Sequence, residues 1–221
     1  MRANAAGDES KLVEALADAG RAVLEKRLTW GTAGNISARC SATEFLISAS
    51  GRALDRLGAD GLTRCALEGA GSGPARAPQP SVETALHRAV YRARPDVGAV
   101  LHASPFHATL VASSALALDA SLSTDTAYYV REVRRVPFHA PGSDELAEAV
   151  AARVAGCDAL LLDNHGALTL GATPAEAVTR LEALELLCRM AVYGALGIPL
   201  RPLSADQASA FVAQLATRGT V

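Results

Sequence analysis

The sequence lacks the features that would place it in a membrane or among disulfide-bonded secreted proteins. Nowhere in its 221 residues do 18 or more apolar residues follow one another, which excludes a transmembrane helix. The first ten residues, MRANAAGDES, contain no apolar segment of the kind found in secretory signals. The four cysteines are far apart without a C-x-x-C pair, which favours reduced thiols over a disulfide framework or a zinc knuckle. We therefore expect a cytoplasmic protein.

A large excess of charge of one sign is also missing. The formal net charge is −2 and the charges are dispersed, so nothing predicts a nucleic-acid or membrane partner. Half of the residues are apolar, which is typical of a globular protein. The length suffices for one full core and is short for two, and we find no internal repeat. These features predict a single domain over residues 1–221.

Apolar spacing and capping residues predict alternating helices and strands. The predicted helices cover 8–28, Ser81 to about Ala93, a segment that starts at Ser104-Pro105, Ser143 to Gly156, Thr173-Pro174 to about Tyr193, and a C-terminal segment after Ser204. The predicted strands cover 45–48, 97–102 and a hairpin over 159–171, whereas 31–37 supplies turn residues. The Gly/Pro-rich segment 69–81 is either an interdomain linker or, as its position favours, a surface loop. The order predicts an α/β, three-layer α-β-α domain with helices on both faces of a sheet.

Histidine is scarce, and two of the five histidines occupy informative positions. His102 ends one apolar strand, and His165 lies in the tight turn after another. Taken alone, each imidazole is most simply a surface or core residue. Strand ends at the rim of a sheet, however, are where α/β folds collect ligands, and two neighbouring imidazoles can bind one transition metal.

Several other polar residues have both a local and a functional interpretation. Glu83 stands in the first turn of its predicted helix, where a carboxylate complements the helix dipole, but it could also serve the histidines. The turn at 31–35, the pair Ser50-Gly51 and Ser81 could offer N–H and hydroxyl donors to a phosphate. Each of these is equally an ordinary turn or cap.

Five segments in order resemble the class II aldolase/adducin family. They are GTAGNIS, ISASG, PSVE followed by TALHRAVYRARPDVGAVLH, VPFHAPGSDELAEAV, and LLLDNHGALTLGATPAEA, and together they span nearly the whole chain. The resemblance implies a central, mainly antiparallel sheet. It also implies a homo-oligomer, commonly a tetramer, with sites between subunits.

The family's functional residues map onto this chain one by one. The resemblance implies that Asn35, Ser50, Gly51 and Ser81 hold a substrate phosphate. It makes Glu83 the acid/base at the carbon next to a carbonyl, and it makes His102 and His165 ligands of a divalent metal. Zinc is the first expectation, with iron or manganese as alternatives. The metal polarises the carbonyl in this family.

The sequence departs from the family pattern at two positions. The metal strand of the family reads H-x-H, whereas here Ser104 takes the place of the second histidine. Val82 stands where sugar-phosphate aldolases often carry a second phosphate-binding serine. A neutral hydroxyl is a poor zinc ligand, so another group has to complete the site. His107, His87 or His139 could do so, but we favour Glu83, which gives two imidazoles and one carboxylate.

The resemblance therefore predicts a metal-dependent lyase that cleaves a C–C bond or decarboxylates next to the carbonyl of a small hydroxy-carbonyl compound. A sugar phosphate is one such substrate. Tyr128 or Tyr129 could protonate a leaving group. Two alternatives stay open: an oxygenase or decarboxylase with non-haem iron on the same scaffold, and a non-catalytic, adducin-like binding module. The retained Glu83, His102 and His165 argue against the second alternative.

Overall fold

The computed structural model describes residues 2–69 and 78–218. In these ranges seven strands form one sheet: β1 Asn35–Arg39, β2 Glu44–Ser48, β3 Leu62–Ala66, β4 Ala99–Ala103, β5 Val133–Val136, β6 Ala159–Leu162 and β7 Gly166–Gly171. The α-helices of the described part are α1 Arg2–Glu25, α2 Thr84–Ala93, α3 Phe106–Ala112, α4 Asp144–Ala151, α5 Pro174–Ala195 and α6 Ala205–Arg218. A short π-helix, Thr126–Val130, precedes β5.

The strands follow the order β3-β2-β1-β4-β7-β6-β5 across the sheet. Every neighbouring pair is antiparallel except β5 with β6, which confirms the expected mainly antiparallel sheet. One apolar cluster joins one face of the sheet to α1, α3 and α5, and a second joins the opposite face to α2 and α4. The three-layer α/β prediction is therefore confirmed.

The strand alternation assigns each residue of the central strands to one of these faces. In β4, Leu101 and Ala103 pack toward α1, α3 and α5, whereas Val100 packs toward α2 and α4. Because side chains alternate along a strand, His102 shares the face of Val100. The carboxyl end of β4 therefore delivers an imidazole to the α2 side of the sheet.

Two predicted helix starts were placed too early. α2 begins at Thr84 rather than directly after Ser81, because the Thr84 N–H and hydroxyl both donate to the Ser81 carbonyl, at 3.1 and 2.6 Å, and form a turn first. Val82 in this turn is consequently 68% exposed and not directed into the core. α3 begins at Phe106, one residue later than predicted, because Pro105 is still extended with ψ 146°.

Two further predictions also need correction. The helix from Ser143 ends at Ala151, and Gly156 lies in a later turn with φ +69°. Residues 35–37, predicted as turn, belong to β1, and β3 and β5 have no counterpart among the predicted strands. The capping interactions at Ser143, Thr173 and Ser204 are confirmed, since each hydroxyl accepts a hydrogen bond from the N–H three residues on.

Several predictions concern what the chain does not contain. None of the described helices is long and apolar enough to cross a membrane. All four cysteines are free. Residues 70–77 lie outside the described residues, so the choice between linker and loop for 69–81 stays a prediction.

Candidate active site

Two imidazoles meet at the end of β4. Ala103 of β4 pairs with Ala167 of β7, so the turn that precedes β7 lies beside the last residues of β4. His165 occupies that turn, and its ring centroid is 4.6 Å from that of His102. Gly166 permits this approach: a Cβ there would stand 2.7 Å from the Ala103 carbonyl oxygen. The small turn residue is therefore required for the two histidines to meet.

Glu83 brings a carboxylate to the same point from the N-terminal end of α2. Its Oε2 lies 3.4 Å from His102 Nε2, and its Oε1 lies 3.3 Å from His165 Nε2. One ligand atom from each of the three residues falls within 4.8 Å of the others. Two donors on one tetrahedral zinc stand about 3.3 Å apart, given bonds of about 2.0–2.1 Å. The two carboxylate–imidazole separations match this spacing, so the residues fit a divalent metal.

The hydrogen bonds around the cluster leave ligand atoms free. His102 Nδ1 lies 3.0 Å from the Ala167 carbonyl oxygen and donates to it, so Nε2 is the nitrogen that is directed at Glu83. Glu83 Oε1 and His165 Nδ1 are buried and lack a hydrogen-bond partner among the described residues. An unpaired carboxylate oxygen is costly to bury. An oxygen left unpaired beside the His165 imidazole fits a site that takes a ligand.

Burial and neighbouring charges set the ionisation of the cluster. Burial raises the pKa of Glu83, but the charge of His102 and the hydrogen bond from Asn35 outweigh it, so that the pKa lies below its ordinary value. Burial lowers the pKa of His165, and the charge of His102 lowers it further. An ionised carboxylate beside a neutral imidazole is the protonation state that metal ligands require.

The residues predicted to hold phosphate line one cavity of about 260 Å³ together with this cluster. Its walls include Asn35, Ser50, Gly51, Ser81, Val82, Glu83, His102, Ser104 and His165. Gly51 has φ +71°, a conformation that favours glycine, and Ser50 beside it is exposed. Arg52, which the sequence analysis did not single out, also lines this cavity. The structure thus brings the residues predicted to bind phosphate, to bind metal and to move the proton to one place.

Asn35 is more closely engaged than the sequence indicated. Its Nδ2 donates to Glu83 Oε2 at 2.8 Å, and its Oδ1 lies 2.5 Å from His87 Nε2. His87 Nδ1 in turn lies 2.6 Å from the Ser37 hydroxyl, which is 2.8 Å from the Tyr91 hydroxyl. All of these side chains are buried, and burial lowers the pKa of His87 to about 3. Sequence reasoning missed this network, although the spacing of Glu83, His87 and Tyr91 by four residues was visible.

Other candidates lie elsewhere. His107 Nδ1 contacts Oε1 of Glu185, on α5, at 2.7 Å. His107 therefore does not complete the metal site. Neither Tyr128 nor Tyr129 is among the residues that line the cavity, and the same holds for His139. Ser104 does line it, and its hydroxyl would lie 3.2 Å from a Cβ placed on Gly166.

Comparison with known proteins identifies the family. The Class II Aldolase and Adducin N-terminal domain family matches residues 14–192. The chain belongs to this family. It is 34% identical to 3-oxo-tetronate 4-phosphate decarboxylase of Haemophilus influenzae over 179 residues, which cover 78% of this chain and 82% of that protein. It is 33% identical to methylthioribulose-1-phosphate dehydratase of Pseudomonas savastanoi pv. phaseolicola over 183 residues, or 77% of this chain and 88% of that one.

A solved structure of the class II aldolase family gives the same result. The chain matches L-fuculose-1-phosphate aldolase from Thermus thermophilus with a TM-score of 0.75 and 30% identity, covering 85% of this chain and 97% of the other. A decarboxylase, a dehydratase and an aldolase are all lyases. The chain is accordingly a metal-dependent, lyase-type enzyme of the class II aldolase family, as the resemblance predicted. The lyase relatives speak against a non-catalytic module.

Proposed function

We propose that this enzyme binds zinc through His102, His165 and Glu83 and breaks a bond next to the carbonyl of a small phosphorylated hydroxy-carbonyl compound. The observation that carries the proposal is the cluster of two imidazoles and a buried carboxylate in one cavity with candidate phosphate ligands. A bound divalent metal supplies a Lewis acid for the carbonyl oxygen. Decarboxylation, dehydration and aldol cleavage all develop negative charge on that oxygen, so the proposal covers the three reactions.

Glu83 is the residue that moves the proton in this proposal. The lowered pKa of its carboxyl group keeps it ionised near neutral pH. Asn35 holds Oε2, whereas Oε1 has no hydrogen-bond partner within the described part of the chain. Oε1 is therefore the atom available to take a proton from the substrate or to complete the metal's ligands. General base catalysis of this kind contributes about 10² to 10⁴-fold to the rate.

The proposed phosphate site lies in the same cavity as this cluster. Ser50, Gly51 and Ser81 supply hydroxyl and backbone groups there, and Arg52, which also pairs with Asp60, adds a guanidinium group. Val82 supplies no hydroxyl, so this site has fewer donors than the family pattern provides. The names of the two curated relatives both contain a phosphate and a keto or ketose group, which supports a phosphorylated substrate for this chain.

The test uses two histidines that are five residues apart. The purified wild-type chain should bind about one equivalent of zinc, His102→Ala should lose it, and His107→Ala should keep it, because His107 is paired with Glu185. Metal content is measured by elemental analysis after dialysis. Equal zinc content in His102→Ala and wild type would sink the proposal. A panel containing both relatives' substrates then tests the reaction.

The same ligand set also serves non-haem iron(II) in oxygenases. The zinc proposal predicts full activity without oxygen and no oxygen uptake. Iron at one equivalent together with substrate-dependent oxygen uptake would instead favour the oxygenase alternative.

We further propose one domain over residues 1–221, a cytoplasmic location and a homo-oligomer, such as a tetramer, with sites at subunit interfaces. Trp30 and Phe106 are 70% and 71% exposed. They line a second cavity that shares Ser104 and His165 with the first, which supports burial of this apolar surface by a second copy next to the site. A monomer in sedimentation velocity at micromolar concentration would contradict the oligomer.

A further inference from the structure

We propose that His87 is a positioning residue: through Asn35 it fixes the orientation of the Glu83 carboxylate and leaves Oε1 free for metal or substrate. This inference rests on the proposed function, since it concerns the same carboxylate. His87 itself is fully buried and does not line the cavity. It therefore acts only through Asn35.

The spacing of residues along α2 and β1 brings the side chains of the two elements into hydrogen-bond contact. Glu83, His87 and Tyr91 are spaced by four residues and share one face of the helix. Asn35 and Ser37 are spaced by two and share one face of β1. Four helical residues advance about 6 Å and two strand residues about 6.6 Å, so the two rows stay in step. Each strand residue consequently lies between two of the three helix residues, as the hydrogen bonds record.

Glu83 determines the direction of every hydrogen bond in the network that leads from Glu83 to Tyr91. An ionised carboxylate only accepts, so Asn35 must donate with Nδ2 and present Oδ1 to His87. Oδ1 only accepts, so His87 must carry its proton on Nε2. A neutral imidazole then accepts on Nδ1, so the Ser37 hydroxyl donates to it and accepts in turn from Tyr91.

This order gives His87 a defined effect on the site. Without a donor at the Nε2 position, Asn35 Oδ1 loses its partner in a buried place, and the Asn35 side chain is no longer held on the side away from Glu83. The Glu83 carboxylate, which Asn35 holds through Oε2, is then less firmly fixed between His102 and His165. A residue that only filled space would have no such effect on Glu83.

The test compares His87→Leu, which removes both nitrogens, with His87→Gln, whose amide nitrogen can replace Nε2 as donor. Thr169→Val is the matched control. Its hydroxyl is also fully buried and donates to the Ala177 carbonyl oxygen, but it belongs to the α5 side of the sheet. Each metal-free full-length protein is titrated with Co²⁺, and binding is followed by the visible absorption of the ion. The tautomer of His87 in wild type is read from two-bond ¹H–¹⁵N spectra, assigned by its loss in His87→Gln.

We expect His87→Leu to bind Co²⁺ about 10 to 100-fold more weakly, the usual effect of removing a group that orients a metal ligand. His87→Gln should recover most of this loss, and Thr169→Val should match wild type. Wild-type His87 should carry its proton on Nε2. Wild-type affinity and spectrum in His87→Leu, or a proton on Nδ1 in wild type, would overturn the inference.

The tautomer is measured on the wild-type protein and its assignment uses only His87→Gln, so it decides the matter even where His87→Leu does not fold. Wild-type protein that binds no Co²⁺ would overturn the proposed function. In that case an Nε2 proton still supports the hydrogen-bond order from Glu83 to Tyr91, and an Nδ1 proton refutes it.

Discussion

Two glutamates are buried in the described part of the chain, and both lie against histidine, yet their surroundings differ. Glu185 on α5 accepts from the His107 N–H and imidazole with Oε1 and from the Ala108 N–H with Oε2. Both of its oxygens are thus paired. Glu83 has one paired oxygen, Oε2, whereas Oε1 faces His165 Nε2 at 3.3 Å without a hydrogen bond among the described residues.

The difference separates a carboxylate whose two oxygens are used within the fold from the one for which we propose a role in catalysis. Glu185 satisfies the first free N–H groups of α3, where negative charge is also favoured by the helix dipole. Its bonding capacity is used within the protein. Oε1 of Glu83 is buried without a hydrogen bond among the described residues, so it can still accept a proton or bind a metal. An unpaired buried oxygen of this kind is typical of a ligand site. A buried Glu–His contact alone therefore does not indicate function, but an incomplete one does.

The largest expected effect is on catalysis at Glu83. Glu83→Gln should lower kcat about a thousandfold, because the amide cannot take a proton. The free energy of unfolding of the metal-free protein should change by less than about 1 kcal/mol, since the unpaired oxygen stabilises nothing. Steady-state kinetics and urea unfolding measure the two quantities. If Glu83→Gln keeps its activity but unfolds much more easily, Glu83 stabilises the fold as Glu185 does and does not take part in catalysis.

The converse variant should affect folding and spare the site. Glu185→Gln places an amide NH₂ against backbone donors and removes the charge, so we expect about 2 kcal/mol less stability in urea. Zinc binding per folded molecule should stay at the wild-type level. Glu182→Gln is the matched control on the same helix. Its ion pair with Lys26 is largely solvent-exposed and should contribute less than about 1 kcal/mol. A Glu185→Gln protein that has normal stability but no longer binds zinc would contradict the distinction between Glu185 and Glu83.

Sequence alone predicts the parts of this comparison that are local. Capping at Thr173 and Ser204 depends on residues within one turn, and those helix starts were predicted correctly. The three layers were predicted from the order of helices and strands, whose elements were found by apolar periodicity and capping residues. Strand β1 was missed because its neighbours GTAG favour a turn, and its burial depends on β2 and β4, which are distant in sequence.

The candidate site was predictable as a set of residues but not as an arrangement. The order of the motifs named Glu83, His102 and His165, and the structure brings them together. The hydrogen bonds from Asn35 to Glu83 and from His107 to Glu185 could not be predicted from the sequence. Both facts follow from the packing of α2 on β1 and of α3 on α5, which are long-range contacts.

Ser104 offers the smallest expected effect and the most direct way to sharpen the comparison. If Glu83 Oε1 completes a metal site that lacks its third imidazole, Ser104→His should supply that imidazole and tighten zinc binding at least about tenfold, or about 1.4 kcal/mol. Ser104→Asn adds bulk without an imidazole and should give no gain. Competition with a chelator measures both. Equal affinities in Ser104→His and Ser104→Asn would mean that position 104 does not face the metal. Tighter zinc binding in Ser104→His alone would mean that the new imidazole replaces Glu83 as a zinc ligand. Glu83 Oε1 would then be left to accept the substrate proton.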